Sequence, residues 1–78
     1  MQSEKRVTEQ SELAEIVKRL LEAEGSYNVK VLEIVELTER SWSAVVSFDW
    51  KLHAWEKHVE ALTVYIIKDD SGNFRKLG

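Results

Sequence analysis

Between Ser41 and Trp50 the chain alternates. Trp42, Ala44, Val46, Phe48 and Trp50 occupy every second position, with Ser41, Ser43, Ser47 and Asp49 among the residues between them. Successive strand side chains point to opposite faces, so this stretch predicts a β-strand with one apolar and one mostly polar face. Upstream the period changes. Leu13, Ile16, Val17, Leu20 and Leu21 recur at i, i+3, i+4, i+7 and i+8, the single apolar stripe of an amphipathic helix. The pattern predicts a helix over Glu9–Glu24, with Thr8 as N-cap and Gly25 just past the C-terminus, where glycine enters a left-handed conformation without a Cβ penalty. Residues 1–7 carry no such stripe and are expected to form a flexible leader.

Three further strands follow from the same reasoning. Val29 to Leu37 is rich in β-branched residues, but its parity changes: Val29 and Val31 share one face, Leu32 and Ile34 the other, and Val35 and Leu37 return. A bulge near Val31–Leu32, or apolar cover on both faces, accounts for this. Val59–Lys68 places Leu62, Val64 and Ile66 on one face and Ala61, Thr63, Tyr65 and Ile67 on the other. Asp69-Asp70-Ser71-Gly72-Asn73 is a turn signal, since aspartate and asparagine bond their own backbone and glycine supplies positive φ. Phe74–Leu77 is then a short fourth strand. Lys51 to His58 fits either an extended hairpin tip or a single helical turn. The expected fold class is α+β: one N-terminal helix on one face of a three- to four-stranded antiparallel meander, in a single domain spanning residues 1–78.

Composition narrows the chemistry. The 78 residues contain no cysteine, which removes disulfides and thiolate metal sites, and no proline. A 44% hydrophobic fraction beside 32% charged residues is that of a globular chain rather than a disordered one. No apolar run approaches the ~20 residues that span a bilayer, and the first residues lack a signal-peptide core, so a cytoplasmic protein without membrane contact is expected. The net charge of −3 is interleaved along the chain, with no basic stripe to track a phosphate backbone. Trp42, Trp50 and Trp55, with Lys51 and Lys57 nearby, could in principle stack bases. Without that basic groove, a nucleic-acid partner is not expected.

Candidate reactive groups are few. His53 and His58 are the only histidines, and their spacing misses the i,i+4 helical metal pair. A hairpin tip that gathered them with Asp49 would be the one route to a site, and solvated loop histidines are the simpler expectation. Asp69 and Asp70 read as turn residues, because nothing apolar surrounds them to raise a carboxyl pKa. Three glycines, Gly25, Gly72 and Gly78, cannot build a phosphate-cradling loop. Neither an enzyme, a cofactor nor a metal is expected.

The second face of the sheet is more informative. One helix can cover the face of Trp42, Val46 and Phe48 with Leu62, Val64 and Ile66. Val45, Tyr65 and Ile67 are left on the other side, and an apolar patch on a sheet face suggests association. Trp50 and Trp55 are candidate contact anchors at the hairpin end, tryptophan being over-represented at interfaces. The reading is a non-enzymatic interaction or accessory module that binds a protein partner or itself through Val45, Tyr65, Ile67, Trp50 and Trp55. The alternative is a small apolar ligand held between helix and sheet in a cleft lined by Trp42, Phe48 and Trp50.

Trp42 with Ala44 and Val46, the excursion through Trp55, the strand tyrosine Tyr65, and Asp69 with Gly72 resemble the pattern of the gas-vesicle accessory family GvpO. The order of elements is also similar to small PepSY-type domains. The resemblance implies a helix-plus-meander fold and a non-catalytic accessory role through protein contacts, with no cofactor.

Overall fold

In the computed structural model, helix α1 (Gln2–Ala23) precedes four strands, β1 (Tyr27–Thr38), β2 (Ser41–Leu52), β3 (Trp55–Lys68) and β4 (Phe74–Leu77). The structure describes residues 2–77, with side chains from Ser11 onward. The strands form one antiparallel sheet in the order β1-β2-β3-β4. This is the expected α+β arrangement, with all four strands present.

The helix differs from expectation at its start. It runs from Gln2, so most of the segment expected as a flexible leader is helical, and Thr8 lies inside the helix instead of capping it. The physical reason is propagation. Glu4, Lys5, Arg6 and Gln10 are good helix formers, and a helix once nucleated extends through such residues without an apolar stripe. Its other end matches the reading closely. Ser26 N–H bonds to Leu21 C=O at 3.1 Å and Gly25 N–H to Glu22 C=O at 3.0 Å, the paired bonds of a Schellman cap, with Gly25 at φ +98°.

Leu13 is buried one turn earlier at the helix–sheet seam, and Val17 and Leu21 are the fully buried part of the helix stripe. They meet Ala44, Val46 and Phe48 of β2, Val64 and Ile66 of β3 and Val29 of β1. Register makes these residues one surface: Ala44 pairs with Val64 and with Ile34, Val46 with Val31, and Trp42 with Ile66, whereas Leu62, opposite Val46 and expected beneath the helix, stays 43% exposed. Burying each such aliphatic side chain is worth about 1.5–3 kcal/mol. Lys76 Nζ reaches Glu24 at 3.4 Å, so the last strand meets the end of the helix that feeds the first.

The parity change in β1 is a bulge, with the register shifting between Val31 and Glu33. Three other shifts lie between Tyr27 and Lys30, between Glu36 and Thr38, and opposite Ser47, where β3 carries one residue more than β2 between the Val46–Leu62 and Phe48–Val59 pairs. The segment Lys51–His58 proves to be strand and hairpin tip. β2 and β3 close on the two-residue turn His53–Ala54, with Leu52 opposite Trp55. Because the first β1 pair is Tyr27 with Asp49, residues 50–57 project beyond β1 as a two-stranded ribbon.

His53 sits at φ +57°, in the place where a tight hairpin turn favours glycine. The left-handed conformation costs a side-chain-bearing residue about 1–2 kcal/mol, whereas glycine adds about 0.5–1 kcal/mol of unfolded-state entropy. His53→Gly should therefore stabilise the fold by about 0.5 kcal/mol. At Gly25 the balance reverses. No atom would crowd an added Cβ, so Gly25→Ala should lose about 1 kcal/mol from backbone conformation alone. Urea unfolding midpoints of the two variants should move in opposite directions from wild type.

Candidate interaction surface

With α1 on one face of the sheet, the other face carries Ser41, Ser43, Val45, Ser47 and Asp49 from the central strand β2. The register extends each row sideways. Val35, Ser43, Tyr65 and Leu77 lie in one line across all four strands, with Glu33, Val45 and Thr63 beside it on one flank and Ser41, Ile67 and Arg75 on the other. Tyr65 is 50% exposed, Leu77 51% and Val35 46%, while Val45 and Ile67 are half-buried by their neighbours. No element of the described residues covers this face. The structure thus brings Val45, Tyr65 and Ile67 together, and adds Val35 and Leu77, whose membership depends on pairing between distant strands.

The tryptophans go elsewhere. Trp50 belongs to the helix-side face, half-buried against the edge of the core. Trp55 stands 71% exposed opposite Leu52 at the tip of the projecting ribbon. The five candidate contact residues are therefore not one patch: three share the uncovered face and the two tryptophans lie on the ribbon. The cleft anticipated from Trp42, Phe48 and Trp50 is likewise not assembled from those residues. Phe48 is buried in the core and Trp50 lies towards the far end of the sheet, while a cavity of about 340 Å³ opens beside Trp42 and is walled instead by Leu13, Ile16 and Phe74.

Beyond the apolar rows lies a polar network. Asn28 Nδ2 donates to Asp49 Oδ2 at 2.9 Å, and His58 Nδ1 bonds to Asp49 Oδ1 at 2.6 Å. The hydrogen bond from Asn28, followed by that from His58, holds the Asp49 carboxyl below the usual aspartate range. The Tyr27 hydroxyl donates to Glu56 Oε2, and that bond to a carboxylate is the largest cause pushing its pKa up to about 12. His58 Nε2 faces Glu60 at 3.7 Å, and His53 takes no part in the network. No cluster of three metal-ligating side chains occurs among the described residues. Sequence reasoning raised the Asp49–His58 meeting but had no signal for Asn28, which enters through its own left-handed backbone at φ +52°. The network fixes where β1 begins against the β2–β3 ribbon.

Asp69 and Asp70 have structural work. Asp69 Oδ1 accepts from the backbone N–H of Ser71 at 3.0 Å and of Asn73 at 2.9 Å, closing the β3–β4 loop. Asp70 pairs with Arg40 at 2.6 Å, and Lys68 N–H bonds to Arg40 C=O at 2.8 Å, tying the two turns at that end of the sheet.

A depressed folded-state pKa means that the Asp49 contribution to stability is present above the unfolded value near ~4 and is lost as pH falls through the folded value. Asp49→Asn should therefore weaken the acid-side decline of the urea midpoint below about pH 4. Equal acid slopes in the two proteins would show that the network does not bias ionisation.

No protein-family model, curated protein or solved structure matches this chain.

Proposed function

We propose that the chain is a non-enzymatic protein-interaction module that associates with a second copy of itself through the uncovered sheet face. The observation that carries this reading is the cross-strand line Val35, Tyr65 and Leu77, flanked by Val45 and Ile67. Apolar side chains spanning four strands cost solvation free energy wherever water covers them, and a second sheet laid face to face removes that cost. Small polar residues between them, Ser41, Ser43 and Thr63, allow a close approach and supply hydroxyls for a wet interface. Glu33 on one flank and Arg75 on the other give the face both signs of charge, so like-charge repulsion does not dominate a self-contact. The resemblance to gas-vesicle accessory proteins points the same way, toward contacts rather than catalysis. A cytoplasmic setting accords with the cysteine-free composition.

Light scattering coupled to size exclusion tests the reading. Wild type should run at twice the chain mass at high concentration. Val45→Glu combined with Ile67→Glu should give the chain mass with an unchanged circular dichroism spectrum, because neither side chain belongs to the buried core. A wild-type protein that remains at the chain mass across the concentration range overturns it.

A further inference from the structure

The cavity beside Trp42 lies on the other side of the sheet from the proposed contact face and rests on separate observations. It sits where α1 crosses the end of the sheet that carries the β1–β2 and β3–β4 turns. Its apolar wall is Leu13 and Ile16 from the helix with Trp42 and Phe74 from β2 and β4. The two rings stand 5.6 Å apart between centroids and are inclined at 46°, a tilted aromatic pair. A volume of about 340 Å³ falls in the range of small-molecule sites.

The polar part of the lining is chemically one-sided. Glu12 comes from the helix, Glu36 from β1 and Glu39 from the β1–β2 turn, against the single cation Lys68. None of the three carboxylates takes a hydrogen bond or ion pair among the described residues. They line the cavity from the helix, β1 and the β1–β2 turn, so the fold brings Glu12 to the same cavity as Glu36 and Glu39. Lys68 supplies the second, independent observation. Its ammonium nitrogen stands 5.5 Å from the centroid of the Phe74 ring. The aromatic wall therefore already receives an ammonium group, contributed by the chain itself on a flexible and exposed stem.

From these features we propose that the cavity binds a small organic cation: an ammonium group carried on an apolar body of a few carbons or one ring. The apolar body fills the space between Leu13, Ile16 and Trp42. The ammonium lies over the Trp42–Phe74 wall within the field of Glu12, Glu36 and Glu39, and the Lys68 stem swings toward solvent. An anion would meet three carboxylates at the rim. A neutral apolar compound would fill the same wall while leaving the carboxylates without a counter-charge. A bare metal ion lacks ligands, since no cluster of three metal-ligating side chains occurs among the described residues.

The experiment is a titration of the ¹⁵N-labelled full chain, followed by nuclear magnetic resonance. Phenethylammonium serves as probe and phenylethanol as its neutral counterpart of the same length. Phenethylammonium should give saturable shifts at the Trp42 indole N–H and at residues 12–16, 36–42 and 68–74, with phenylethanol at least about fivefold weaker. Glu36→Gln with Glu39→Gln changes two exposed side chains outside the core, and should weaken the cation about fivefold while leaving phenylethanol unchanged. Glu12→Gln, also exposed, provides the same reading from the helix side. Equal affinities for the cation and the alcohol, cation affinity unchanged in the glutamine variants, or shifts located elsewhere would each overturn the proposal. None of these outcomes depends on the oligomeric state, so the site and the sheet-face association stand or fall separately.

Discussion

The structure depends on one apolar contact: Val17 and Leu21 of the helix against Ala44, Val46 and Phe48 of the central strand and their neighbours Val64 and Ile66. In a chain of this size there is little else to hold the fold. Domains near this length bury only about 60% of their unfolded surface, and no disulfide reinforces this one. The contact is geometrically economical. A helical period of nearly four and a strand period of two each deliver one line of side chains, and β2, flanked by a strand on either side, receives the helix line over its most apolar row.

Polar groups decide where the chain turns. The Gly25 cap ends the helix, and the Arg40 carbonyl with the Arg40–Asp70 pair ties two turns together. The Asp69 side chain shapes the last loop, and Asp49 gathers Asn28 and His58 where β1 starts. Each device is exposed or nearly so, and each is worth little beside the core. Their effect is on register. A one-residue slip of any strand would turn its apolar row to water, so modest local bonds suffice to select the pairing.

A single helix over a four-stranded sheet leaves two kinds of surface unfinished. One is the far face, where Val35, Val45, Tyr65, Ile67 and Leu77 lack a covering layer. The other is the end of the helix–sheet seam, where the wall of Trp42 and Phe74 and the surrounding glutamates leave a cavity. The two lie on opposite sides of the sheet and differ in chemistry, one broad and mildly apolar, the other small and acidic. Both arise from the same shortage of material, because one helix cannot cover every apolar side chain that four strands present.

The sequence by itself determined the elements and the inner face. The alternation through Trp42–Trp50, the helical stripe from Leu13 and the glycine after it are local patterns, and local patterns report period and burial directly. It also carried the parity change at Val31–Leu32, which the structure resolves as a bulge, and the grouping of Val45, Tyr65 and Ile67. Tertiary structure decided what depends on partners distant in the chain. It placed Val35 and Leu77 in the same row as Tyr65, separated Trp50 from Trp55, extended the helix back to Gln2, and closed Lys51–His58 into a ribbon whose two-residue turn lacks the usual glycine. The cavity was the least legible feature. Its eight lining residues come from the helix, all four strands and one turn, and no spacing in the sequence relates Glu12 to Glu39 or Trp42 to Phe74. Periodicity fixes which way a side chain faces, but which side chains meet across a sheet is set by register and by the angle at which the helix crosses it.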